Sequence, residues 1–299
     1  MIPALIDHLR ATQNSDGGWG SIRGRQSNTE ATSFATLALN RVGPSAHVPA
    51  ERGITWLRQR QQPDGSWPLT ASVNAGSWTT ALAVTCLANH ANTLSDVQRG
   101  AEWLLGHRGH GLGLLASLLY RVVPDLMPTR LNPDLKGWAW TADEFSWVEP
   151  TAYALIALKK LRRGESSAAR PTILEAEAML YDRACPGGGW NYGNSTVYGE
   201  ALAPYLETTA IALVALQDRR DDERNRAGLE ALKRMLGDAA SGLGLSWCIL
   251  CLRIHGDDVS TWLRRLADIH AKTAFLGETK PVALALLAAT DGAVAFRFA

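Results

Sequence analysis

Gln13-Asn14-Ser15-Asp16-Gly17-Gly18-Trp19 and Gln61-Gln62-Pro63-Asp64-Gly65-Ser66-Trp67 share one pattern, Q-x-x-D-G-x-W, with tryptophans 48 residues apart. Self-similarity at a fixed period signals a repeat architecture. Shorter relatives of the turn stand at Lys136-Gly137-Trp138 and Pro186-Gly187-Gly188-Gly189-Trp190. Each residue type suits a tight turn: Gly allows left-handed backbone, Asp caps the next segment, Gln bonds backbone at a neighbouring helix end, and Trp packs a wide face on adjacent helices. Gln13, Asp16, Trp19, Gln61, Asp64 and Trp67 therefore read as structural ties.

An Ala-rich apolar segment comes after each turn, over 29–39, 77–87, 148–158 and 206–216, with a shorter relative over 278–289. Pro150 and Pro281 fall in first turns, where a missing N–H costs little. Apolar on nearly every face, these segments predict buried helices. More amphipathic helices are predicted before the turns, near 2–13, 50–61, 95–106, 171–183, 225–237 and 258–270, with the fifth partnered by a buried helix near 242–254. That makes six outer/inner pairs. An extra helix is expected near 111–122, within an insertion over about 108–147. An open solenoid would carry polar caps at its ends. The last inner segment is as apolar as the middle ones, so the expected fold is all-α, one closed (α/α)6 barrel domain over 1–299. Two irregular stretches, 124–147 and 184–204, exceed what a simple connection needs.

Composition narrows the function classes. Thirty Lys+Arg against 29 Asp+Glu leave a formal charge of +1, which argues against nucleic acid as a partner. With 46% hydrophobic residues the chain is no disordered polyelectrolyte. No apolar run reaches the ~18 residues of a membrane span. Met1 to His8 has no basic head before its apolar run, so no signal peptide is expected. Four cysteines fit a reducing, cytoplasmic setting.

The Q-x-x-D-G-x-W turns, each leading into a segment that opens near x-E/D-x-T-A, resemble the squalene-hopene cyclase and terpenoid cyclase superfamily, whose relatives include protein prenyltransferase β subunits. The resemblance covers nearly the whole chain, as a single barrel unit. It implies an apolar isoprenoid or polyene substrate, no cofactor, and an acid at the start of an inner helix. Class II cyclases carry D-x-D-D-T-A there, the middle Asp protonating an alkene or epoxide. In that register Glu149 of Trp147-Val148-Glu149-Pro150-Thr151-Ala152 falls on the catalytic Asp, while Trp147 and Pro150 replace the other acids. Glu207 and Glu30 occupy the same place in Tyr205-Leu206-Glu207-Thr208-Thr209-Ala210 and Asn28-Thr29-Glu30-Ala31-Thr32-Ser33. Asp221-Asp222-Glu223-Arg224-Asn225 is only faintly like the D-D-x-x-D motif of ionising synthases and sits among arginines, as a solvated helix start does.

Glu149 is the first-choice acid. A carboxyl group kept from water favours its neutral form, which can donate a proton. Tyr153 lies one helical turn on. A first-turn Glu also favours the helix dipole, so Glu149, Glu207 and Glu30 each have a structural reading. Asp143 and Glu144 stand in the loop between Trp138 and Trp147 and could serve as acid or base. Aromatic faces can hold a cation by roughly 0.5–2 kcal/mol each. Candidates for substrate contact are Phe34, Trp78, Trp138, Trp140, Phe145, Trp147, Tyr153, Tyr192 and Tyr205, with Tyr198 a weaker one. The 187–194 stretch lacks the ending of a phosphate loop. His107 and His110 flank a glycine-rich break and suit a surface position. Cys248, Cys251 and His255 share a helical face but span it rather than gather at a turn, so no metal is expected. The leading expectation is an enzyme that cyclises or isomerises a small apolar substrate by acid–base chemistry. A non-catalytic lipid- or protein-binding barrel and a carbohydrate-active lyase or hydrolase stay open.

Overall fold

The computed structural model describes residues 1–43, 46–110, 119–120, 122–123, 127–142, 144–162, 166 and 168–298. The extra helix expected near 111–122 lies largely outside them. Among the described residues twelve α-helices occur in order: α1 (Ile2–Thr12), α2 (Thr29–Leu39), α3 (His47–Arg60), α4 (Thr79–Leu87), α5 (Leu94–Gly106), α6 (Val148–Lys160), α7 (Arg170–Asp182), α8 (Leu206–Ala215), α9 (Glu223–Met235), α10 (Gly242–His255), α11 (Ser260–Thr273) and α12 (Thr279–Ala289). The even-numbered helices are the buried Ala-rich ones, and all of α4 is buried. The odd-numbered ones carry the charged faces, so the alternation of six outer and six inner helices is present. Asn28 caps α2 through the Ala31 N–H at 2.8 Å, and Gly256, at φ 90°, ends α10. Among the described residues, a short antiparallel ribbon of β1 (Thr196–Val197) and β2 (Glu200–Ala201) departs from the all-helical pattern.

Two compact units are formed, residues 1–103 with 239–297, and residues 104–238 with 298–299. In the first, α12 packs on both α2 and α10, and α2 also packs on α3 and α4. The last inner helix thus lies against the first. Two hydrogen bonds fix that seam: the Thr279 N–H donates to Ser21 O at 2.8 Å and its hydroxyl to Gly20 O at 2.6 Å. Thr29 makes the same pair to Leu69 O and Pro68 O, at 2.9 and 2.6 Å. Phe34, Trp247 and Phe296 fill the core between them, with Phe34 edge-on to Trp247 at 6.0 Å.

The turns are ties in atomic detail. Gln13 Nε2 donates to Gly17 O and Pro49 O, and Gln61 Nε2 to Gly65 O and Asp96 O, each at 2.8–3.0 Å. The indole N–H of Trp19 donates to Leu9 O at 2.7 Å, and that of Trp67 to Leu57 O at 2.7 Å. Their backbone N–H groups donate to Thr32 and Thr80 hydroxyls at 2.9 Å. One tryptophan, through its indole and its backbone N–H, thereby joins an outer helix to the next inner one.

In the second unit α6 packs on α7 and α8, and α8 on α9. Trp138 and Trp190 repeat the tie, with indole bonds to Leu104 O and Leu180 O at 2.9 and 2.6 Å, and backbone bonds to Thr151 and Thr209 hydroxyls at 2.9 Å. At the end of α6, the buried Lys159 ammonium is compensated by Glu177 at 2.5 Å and Asp218 at 2.6 Å. Glu177 in turn binds Arg219 at 2.9 Å. A buried charge persists only with such partners.

Candidate functional site

The starts of α6 and α8, both in the second unit, gather most of the candidates. Val148, the first residue of α6, donates to Tyr192 O at 3.1 Å, and Tyr205, just before α8, donates to Trp190 O at 2.9 Å. These bonds fold the 190–205 segment over the helix starts. Asn191 shapes it further, accepting the Gly193 and Asn194 N–H groups at 3.0 and 3.1 Å and donating to Asn194 O at 2.7 Å. The rings of Tyr192 and Tyr205 meet at 5.0 Å.

Glu149 sits in the first turn of α6 and is 8% exposed. The Tyr153 hydroxyl, one turn along, donates to Glu149 Oε1 at 3.1 Å. Two residues before Glu149, the Trp147 ring lines an open pocket of about 670 Å³ together with Trp140, Glu144, Phe145 and Tyr192. Phe145 and Tyr192 are each 55% exposed, so two large apolar faces stand in solvent at the mouth. A second pocket, about 220 Å³, shares Phe145 and Trp147 and is lined further by Arg183, Tyr120 and Leu131 among others. Burial presses the Arg183 guanidinium below the usual arginine range, and the Asp182 carboxylate acts in the other direction.

Trp140, Phe145, Trp147 and Tyr192 are therefore brought together, Tyr205 joins them through Tyr192, and Tyr153 bonds Glu149. Glu207 is half-buried in the first turn of α8. Asp143 lies outside the described residues, while Glu144 is exposed on the pocket wall. Trp138 is 3% exposed and serves as a repeat tie, outside both pocket linings. Phe34 and Trp78 belong to the first unit, where Phe34 is packed in the core and Trp78 precedes α4. Glu30, also there, is ion-paired with Lys280 at 3.1 Å. Tyr198, 81% exposed, tips the two-stranded ribbon. His110 lines the smaller pocket. Cys248 and Cys251 are fully buried in α10, and no three His, Cys, Asp or Glu side chains come together as a metal site among the described residues. Arg183 and Tyr120 carry no motif in the sequence. An arginine directly after an outer helix reads as a solvated helix end.

Residues 1–77 match the family of the squalene-hopene cyclase C-terminal domain. Over 64 residues the chain is 45% identical to the drimenyl diphosphate synthase of Streptomyces showdoensis, a match taking in 21% of this chain. That match spans 12% of the length of the curated relative. Among solved structures, the type II terpene cyclase MstE from Scytonema superposes with a TM-score of 0.57 at 16% identity, over 91% of this chain and 77% of that one. A protein from Actinoplanes does so with a TM-score of 0.63 at 15% identity, over 98% of both chains. Salmonella alpha-2-macroglobulin reacted with methylamine matches with a TM-score of 0.51 at 16% identity, over 96% of this chain and 17% of that one. At such identities the likeness is one of fold, the α/α barrel of the terpene cyclases, and alpha-2-macroglobulin carries the same fold in another setting.

Proposed function

We propose, for a chain that is squalene-hopene and terpenoid cyclase-like, an enzyme that cyclises or isomerises an apolar isoprenoid by acid–base catalysis at the starts of α6 and α8. The observation that carries this reading is the buried Glu149 carboxyl, bonded by Tyr153 and set two residues from a tryptophan that walls an aromatic pocket. The apolar chain of the substrate lies against Trp140, Phe145, Trp147 and Tyr192. Glu149, protonated, gives its proton to one carbon of a double bond: the O–H bond breaks, a C–H bond forms, and the neighbouring carbon becomes cationic. A second double bond of the same molecule attacks that cation, or a proton leaves to shift the first one. Loss of a proton to the carboxylate restores the acid. The facing rings hold the cation by the attraction of their π-faces. Glu207 is the alternative acid, and Asp143 an auxiliary one on the loop. We place the reaction in the cytoplasm, in accord with four cysteines that are all buried thiols. No helix among the described residues is long and apolar enough to cross a membrane.

A panel of linear polyenes, prenyl diphosphates and prenylated phenols, incubated with the purified chain and read by mass spectrometry, tests the reading. Glu149→Gln is expected to lower product formation by about 100-fold or more while the far-ultraviolet circular dichroism stays unchanged. Equal turnover by Glu149→Gln removes this acid from the mechanism. Failure of the wild type to convert any member leaves the non-catalytic binding barrel as the better reading.

A further inference from the structure

Arg183 is the strongest unassigned group in the second unit. Its side chain is 7% exposed and lines the smaller pocket, yet it comes directly after α7 as an ordinary helix end in the sequence. Asp182 takes its Nη1, and Nη2 lies 3.5 Å from Asn132 O. A guanidinium has five N–H donors in a planar fork. Those left over have no protein acceptor among the described residues, so they are available to the pocket. The ion pair with Asp182 also cancels the charge. The pocket therefore offers directional donors with almost no net field. Leu131, Pro133, Leu135, Phe145 and Trp147 form flat apolar walls around them. Among the other polar groups on the lining, the Tyr120 and Thr129 hydroxyls bond each other at 2.8 Å, the Ser146 hydroxyl oxygen accepts the Gly137 N–H at 2.8 Å, and His110 and Asn194 complete the wall.

This chemistry discriminates between head groups. A diphosphate carries several negative charges and is held by clusters of cations or by a metal ion. One neutralised arginine beside a carboxylate meets neither need. A carbonyl or phenolic oxygen accepts from a guanidinium N–H without an uncompensated charge, and its ring stacks on Phe145 and Trp147. Those two side chains wall both pockets, so the smaller pocket is the immediate neighbour of the larger. We propose that the smaller pocket is a head-group subsite, in which Arg183 holds the uncharged acceptor oxygen of an isoprenoid bearing an aryl or carbonyl head. The inference rests on the proposed substrate class but not on the acid.

Binding, measured by quenching of tryptophan fluorescence in the full chain, tests it without turnover. Three probes share one tail: 4-geranylphenol, geranyl diphosphate, and the headless 2,6-dimethylocta-2,6-diene. In wild type, geranylphenol is expected to bind about tenfold tighter than either of the others. Arg183→Lys, which keeps the Asp182 pair but loses the fork, should abolish that margin and leave diene binding unchanged. The uncharged double variant Asp182→Asn/Arg183→Gln should behave alike. Tightest binding of the diphosphate, or equal affinities for all three, overturns the subsite. Head-dependent binding without any turnover would sink the acid and spare the subsite, whereas turnover with no effect of Arg183 on binding would do the reverse.

Discussion

Asp16 shows how much a single turn residue holds. Its Oδ1 accepts the Gly18 N–H at 3.0 Å and the Ser27 hydroxyl at 2.8 Å, and its Oδ2 accepts the Trp56 indole at 2.9 Å. Burial opposes its charge, but these donors, with Arg60 nearby, outweigh burial and hold the carboxyl below the usual carboxylate range. A folded value below the unfolded one means stability that is present above about pH 4 and lost as pH falls through the folded value. Asp16→Asn is expected to cost about 1 kcal/mol near neutrality, the exposed side of the carboxylate keeping the figure modest. Urea midpoints should show that gap at pH 6.5 and a narrower one at pH 3. A gap that stays constant would mean the carboxylate charge contributes nothing. At the same scale, the sequence names Glu149 by register but not its direction. A first-turn glutamate can cap its own helix or turn inward, and register alone does not distinguish the two.

At the scale of the element, the tryptophan ties need a particular outer helix beside them. A β-carbon added at Gly53 in α3 would lie 2.9 Å from the Trp19 ring and inside contact distance of the Thr36 hydroxyl. Gly100 in α5 and Gly228 in α9 stand likewise against Trp67 and Trp190, each at 2.7 Å. Gly53→Ala is expected to destabilise by about 1–3 kcal/mol through overpacking, despite the better helix propensity of Ala. Gly106→Ala, at the open end of α5 with nothing within 4 Å, should be neutral or slightly stabilising. Thermal melts of both check the pair, and equal shifts would refute the packing argument. The helices themselves are legible because these turns recur. The role of Trp138 is legible too, from its spacing: it precedes Thr151 by 13 residues, as Trp19 precedes Thr32 and Trp67 precedes Thr80. Its expected place as a substrate contact rests on its neighbours Trp140 and Trp147 rather than on that interval, and the residue is buried outside both pocket linings. Arg183 is illegible because the residues that share its pocket, such as Tyr120, Leu131, Phe145 and Trp147, are distant in sequence and without periodicity.

At the scale of the whole molecule, the first unit is discontinuous: its last inner helix packs on its first and is bonded through Thr279 to Gly20 and Ser21, in the turn that precedes that first inner helix. Thr279→Val removes the 2.6 Å bond and leaves Gly20 O buried without it, at an expected cost of about 1–3 kcal/mol. Hydrogen exchange should speed up at both 2–39 and 279–289, sequence extremes that share one seam. Faster exchange confined to 279–289 would show that the seam does not couple them. The same bond sets an order of events on the ribosome. Residues 104–238 form a contiguous stretch and can complete their own contacts while synthesis continues. Gly20 and Ser21 must wait for some 258 further residues before Thr279 emerges, so α1 and α2 keep an open flank throughout that interval, and a nascent chain stalled before that threonine should be the species that chaperones hold.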